Sequence, residues 1–206
     1  MFDVLSATLP AFVFASVLIE ITPGPNMAYL AVLALSHGRR QGYAAVAGVA
    51  LGLLIVGLLA AFGLAALISA SPFLFQVLRW GGVAYLLWLA WDTWNDDGQG
   101  SDKFSGSNGR FFRRGLVVNL LNPKAGVFYV AMLPRFVNPN APVLAQTVVL
   151  SLTFVLIATV IHGTIVTAAG ALRPFLTETG KRDVVRRVLA VALVFVAIWL
   201  AFDTQA

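Results

Sequence analysis

Two short proline motifs interrupt apolar stretches of the chain, Thr22-Pro23-Gly24-Pro25-Asn26 and Asn122-Pro123-Lys124. Proline lacks a backbone donor and clashes with the preceding turn, so neither stretch can run on as one unbroken helix. Proline is favoured at the first position of a helix, and asparagine is a good N-cap. Gly24-Pro25 and Asn122-Pro123 therefore read as the starts of new half-helices. Each start exposes backbone N–H groups and the positive end of a helix dipole. Two such ends brought together, with the full positive charge of Lys124, would bind a carboxylate. Thr22, Asn26 and Asn119 could add hydrogen bonds.

Glu20 is the other charge deep in these stretches. An isolated charge at the centre of a bilayer costs about 3 kcal/mol, so Glu20 needs a partner, a cavity or a proton. It could receive a substrate ammonium, carry a coupling proton, or form an ion pair with Lys124 that only locks helices together. His162 could relay protons, although a lone histidine in an apolar helix commonly makes an interhelical hydrogen bond. Arg79 and Asp92 lie toward opposite ends of one segment and read as interfacial anchors. Gly48 and Gly52 form a GxxxG pair suited to close helix packing.

The elements that must position these residues belong in a membrane. The chain has 206 residues, 59% hydrophobic and only 11% charged, with a mean hydropathy of +0.86. One soluble core of this size could not hide so much apolar surface. Six segments approach the length of about 20 apolar residues that a bilayer requires. They are Val4–Leu35, Tyr43–Ala70, Pro72–Trp94, Leu116–Pro134, Ala141–Leu172 and the shorter Val188–Phe202. The expected fold is an all-α integral membrane protein of six transmembrane helices, with the first and fourth broken at the proline motifs. The N-terminus lacks the basic region of a secretory signal, so the first segment is expected to be retained.

Basic residues are placed unevenly. Arg39 and Arg40 lie in the first loop, Lys103, Arg110, Arg113 and Arg114 in the third, and Arg173, Lys181, Arg182, Arg186 and Arg187 in the fifth. On the other side only Arg135 stands clear of the spans. The positive-inside rule puts loops one, three and five in the cytoplasm and both termini outside. The net charge of +5 thus speaks of topology and lipid headgroups, not of nucleic acid. Residues 95–109 are polar and rich in Gly and Ser, a cytoplasmic linker between 1–94 and 110–206. Three spans in each half is an odd number, so the second half would enter the bilayer inverted. Paired helix breaks in corresponding positions of two inverted halves point to the substrate site of a secondary transporter.

The chain has no cysteine, which excludes disulfides and thiol redox chemistry. There is no HExxH and no paired set of catalytic carboxylates, so neither catalytic nor metal-ligating residues are assigned and no cofactor is expected. An intramembrane enzyme or electron carrier is the weaker alternative; a carrier for another small solute is a closer one. The glycine-rich second span leaves room for a homodimer.

TPGPN in the first span, GRRQGYAAVAGVALG across the first loop and second span, GGVAYLLWLA in the third and FFRRGLVVNLLNPKAGVFYV in the fourth resemble the LysE/RhtB amino-acid exporter family. The resemblance covers nearly the whole chain with its motifs in order. It implies a bacterial inner-membrane exporter of amino acids or their derivatives, driven by the proton gradient; the small zwitterion that the expected site would hold is a neutral amino acid foremost. The family's GP and NPK motifs map onto Gly24, Pro25, Asn26, Asn122, Pro123 and Lys124. Many members carry an acidic residue at the position of Leu53, a departure that bears on substrate choice, and a glycine at that of Ala90, a mild change.

Overall fold

The computed structural model describes residues 2–63, 71–95, 108–177 and 182–203, and every regular element among them is helical. The chain runs α1 (Phe2–Ile21), α2 (Pro25–His37), α3 (Arg39–Ala61), α4 (Pro72–Trp94), α5 (Asn108–Leu120), α6 (Pro123–Val127), α7 (Val143–Thr177) and α8 (Arg182–Asp203). After α6 the backbone widens into a π-helical turn at Phe128–Met132 and tightens into a 3₁₀ turn at Leu133–Phe136. Most of the expected linker, and the end of the expected second span, lie outside the described residues. The fourth span differs from expectation at its start, because helix α5 already begins at Asn108.

Both proline motifs bend the chain. α1 and α2 meet at 58°, and α5 meets the 123–136 segment at 54°. Each bent pair is long and apolar enough, taken together, to cross a bilayer, as α3 and α7 are alone. Arg187–Phe202 is a shorter apolar helix.

Small residues set the helix packing. The Cβ of any larger residue at Gly48 would lie 2.0 Å from the Phe112 carbonyl oxygen, and one at Gly115 would lie 2.2 Å from that of Ala45. The backbones of α3 and α5 therefore touch, and this is the most extensive helix pair in the molecule. α3 also packs on α7, α4 on α8, and α7 on both α1 and α2. Gly38 turns the chain between α2 and α3 with φ 95°, a conformation that side chains with a Cβ rarely adopt.

Aromatic rings fill the centre around the π-helical turn. Phe128 stacks on Phe154 with centroids 3.7 Å apart, and Phe12 and Tyr129 pack against the same pair. A π-turn at a functional position is a recurring association, and here it swings Phe128 and Tyr129 inward, both buried.

The charges expected at the interfaces have specific partners. Arg79 is buried and its guanidinium donates to the Ala201 carbonyl near the end of α8. It thus satisfies a carbonyl at the negative end of that helix rather than anchoring to headgroups. Asp92 receives Arg114 Nη2 at 2.8 Å and Arg110 Nη2 at 3.3 Å. Arg114 also lies over the Trp88 ring, 5.0 Å from its centroid. These contacts tie the end of α4 to the start of α5.

Candidate functional site

The two breaks face each other. Gly24 caps α2 in an extended conformation with Pro25 at the first helical position, and Asn122 caps α6 with Pro123 there. The caps differ in chemistry. Asn122 Oδ1 accepts the Lys124 N–H at 3.1 Å, and the Asn122 carbonyl accepts the Ala125 N–H at 3.2 Å. Pro123 has no N–H to offer. The α6 start is therefore satisfied by its own cap and leaves few donors for an anion, contrary to the expectation from sequence. Glycine gives α2 no side-chain cap, so the Asn26 and Met27 amides at its positive end have no partner among the described residues.

A cavity of about 520 Å³ lies between the breaks, lined by Thr22, Pro23 and Pro25 from one motif and by Asn122, Pro123 and Lys124 from the other. Ile19, Val127, Phe128, Ala131, Met132, Arg135, Trp199 and Leu200 complete its wall. The volume and the mostly apolar lining with a few polar groups suit a small zwitterion. Lys124 Nζ crosses from the second motif to the first and donates to the Thr22 carbonyl at 2.7 Å. Gly24 leaves room for this reach, since a Cβ there would already stand 3.4 Å from Lys124 Cδ. The Thr22 hydroxyl turns back to its own helix, donating to the Leu18 carbonyl at 2.9 Å.

Asn26 and Asn119 are brought together, but behind the cavity wall. Asn26 Nδ2 donates to Asn119 Oδ1 at 2.9 Å, both residues are buried, and neither lines the cavity. Asn119 also packs tightly on Gly52, where a Cβ would fall 2.6 Å from its Nδ2. The pair fixes the two broken segments to each other. Replacing Asn119 with leucine strands the Asn26 amide, and a buried amide without a partner costs about 1–3 kcal/mol. The expected result is a clear drop in the melting temperature of purified Asn119→Leu in detergent.

Glu20 is buried, and its Oε2 lies 3.2 Å from His162 Nε2 on α7. No Glu20–Lys124 ion pair occurs among the described residues; each has a different partner. Sequence reasoning weighed His162 by itself and so missed it as the acid's partner. The available signal was complementarity: Glu20 and His162 are each the one ionisable group deep in an apolar helix. Trp199, Met132 and Arg135 as cavity wall carry no local motif. No group of His, Cys, Asp or Glu among the described residues is arranged to hold a metal ion.

Apolar helices suited to crossing a membrane, broken around a mostly apolar cavity with one lysine ammonium in it, define a helical membrane protein. Comparison with known proteins makes this specific: the chain belongs to the LysE type translocator family, whose model matches residues 17–204. The chain is similar to a homoserine/homoserine lactone efflux protein of Salmonella typhimurium, 36% identical over 73% of this chain and 75% of that protein. It is also similar to a leucine efflux protein of Klebsiella pneumoniae, 37% identical over 63% of each chain. A Vibrio cholerae relative, described only as a membrane protein, is 32% identical over 73% of this chain and 75% of its own length. No solved structure matches. The family resemblance read from the motifs is thereby shown.

Proposed function

We propose that this protein is a secondary transporter that exports a neutral amino acid, or a derivative of one, across the bacterial inner membrane. The observation that carries the reading is the placement of Lys124. Its ammonium lies in a cavity bounded by both helix breaks and is held by a neutral backbone carbonyl. A substrate carboxylate is a better acceptor for that ammonium than the Thr22 carbonyl, because the bond then joins opposite charges. The uncapped amides of α2 and its dipole add to the attraction. The apolar remainder of the wall accepts an uncharged side chain. The relatives' names, homoserine and leucine efflux, fit a substrate of this class.

Thr22, Gly24, Pro25, Asn122, Pro123 and Lys124 are assigned to binding, the glycine and prolines by shaping the breaks. Asn26 and Asn119 are assigned to holding the breaks in register. The chain is read as six spans with both termini periplasmic, following its basic loops. Packing of α3 on α7 and of α4 on α8 supports an inverted repeat, since these are equivalent helices of the two halves. Rocking of one half on the other would expose the cavity to each side in turn, with export driven by inward proton movement.

Counterflow tests this reading. Proteoliposomes are loaded with unlabelled leucine or homoserine and diluted into labelled amino acid. Labelled substrate is expected to accumulate transiently above its equilibrium level. A leak without overshoot would indicate a channel, and no flux of any neutral amino acid would remove the assignment.

A further inference from the structure

We propose that Glu20 and His162 together hold the coupling proton, and that the hydroxyls of Ser16, Tyr129 and Ser151 serve its passage from the outer side. The inference rests on the transporter reading above and assigns to that activity a site separate from the substrate cavity.

The pair is enclosed. His162 and Glu20 are 1% and 6% exposed, and neither lines the 520 Å³ cavity, although Ile19 and Thr22 beside Glu20 do. The Lys124 ammonium in that cavity is within electrostatic range of Glu20, so the pair senses the cavity without forming its wall. A proton needs no open cavity, only groups that can donate and accept in turn. The pair is also poorly satisfied. Among the described residues Glu20 has no partner besides His162, the Nε2–Oε2 contact falls short of hydrogen-bond geometry, and His162 Nδ1 has no partner. A pair retained only to lock two helices would be expected to fill these sites.

Three of the buried hydroxyls without partners among the described residues lie on or beside the helices that carry the pair. They are Ser16, one turn before Glu20 on α1, Ser151 on α7, and Tyr129, which is within electrostatic range of Glu20. Tyr129 and Ser151 both lie against Gly57, where a Cβ would stand 2.9 Å from the tyrosine hydroxyl and from Ser151 Cβ. In the topology proposed, α1 and α7 both enter from the outside, so Ser16 and Ser151 lie on the outer side of Glu20 and His162. A hydroxyl can donate and accept at once, as proton transfer requires.

The proton balance is simple. With one proton the pair is neutral overall, either carboxylate with imidazolium or carboxylic acid with imidazole. Without it the pair carries one negative charge, which is costly in the apolar centre. Entry forms one O–H or N–H bond, and release breaks it toward the cytoplasm. Besides His162, Lys124 and Tyr129 are among the titratable groups within electrostatic range of Glu20. Tyr43 of α3 bonds Thr167 one turn beyond His162. Tyr29 of α2 faces the Arg114–Asp92 cluster instead, His37 at the far end of α2 lies over Phe111, and α8 carries no charge from Val188 to Phe202.

The test measures protons moved per leucine moved in proteoliposomes, for wild type, His162→Gln and Glu20→Gln, with folding checked by gel filtration. Both variants are expected to lower the ratio about fivefold or more, because neither amide holds a proton at neutral pH, while exchange of leucine stays measurable. Ser16→Ala, which leaves both ionisable groups in place, is expected to slow proton-driven efflux with the ratio retained. A His162→Gln ratio within twofold of wild type would overturn the inference. Folded variants that move no leucine at all would overturn it too, placing the pair in the substrate site. Failure of wild type to show counterflow would instead remove the transporter reading itself.

Discussion

Lys124→Met abolishes amino-acid efflux. The methionine keeps the length and apolar stem of lysine but removes the ammonium that donates to the Thr22 carbonyl. If a substrate carboxylate takes that carbonyl's place, the variant loses one charge-assisted bond in a largely apolar cavity. Losing a charge-assisted bond costs about 1.5–3 kcal/mol, a factor of about ten to a hundred in affinity. Amino-acid resistance of expressing cells and counterflow in liposomes both read this out. The protein itself should fold, because the Thr22 carbonyl lies at an exposed position at the end of α1 and can be solvated from the cavity. Leucinol, which keeps the amine and side chain but lacks the carboxylate, should compete poorly with leucine for the wild-type carrier.

Gly48→Leu prevents assembly altogether. Its Cβ would sit 2.0 Å from the Phe112 carbonyl oxygen and 2.8 Å from the Leu116 amide nitrogen. Both are backbone atoms of α5, so no side-chain rotation relieves the clash and the two helices must separate. Overpacking in ordinary cores costs about 1–3 kcal/mol; here the whole α3–α5 seam opens, including the Gly115–Ala45 contact. The expected outcome is loss of monodisperse protein on gel filtration in detergent. Gly81→Ala is the control, since its Cβ would meet only Leu121 Cδ2 at 3.5 Å and should leave folding intact.

The features legible in the sequence are those written in local chemistry. Pro25 and Pro123 announced the bends because proline cannot continue a helix, and Asn122 announced its cap. Gly48 announced a close approach because only glycine has no Cβ. What escaped the sequence depends on backbone atoms or on distant partners. Lys124 bonds a carbonyl of residue 22, an acceptor that every residue possesses, so no side-chain type could reveal it. Arg79 ends on a carbonyl of α8 for the same reason. Asn26 and Asn119 were legible as polar groups near the breaks, but their mutual bond, which turns them from cavity lining into a brace, needs both helices in place. The α6 start was expected to offer free amides; the side chain that marked it as a cap is what consumes one of them.

The most direct test asks whether the amino acid sits between the two breaks, held through Lys124. The absence of native cysteine makes a direct test possible with Ala131→Cys, an exposed position on the cavity wall. The measurement is its rate of labelling by a water-soluble maleimide in liposomes, with and without saturating transported amino acid. Substrate is expected to slow labelling several-fold, and Lys124→Met in the same background to remove the protection. An unchanged labelling rate at a substrate concentration that saturates counterflow would contradict it.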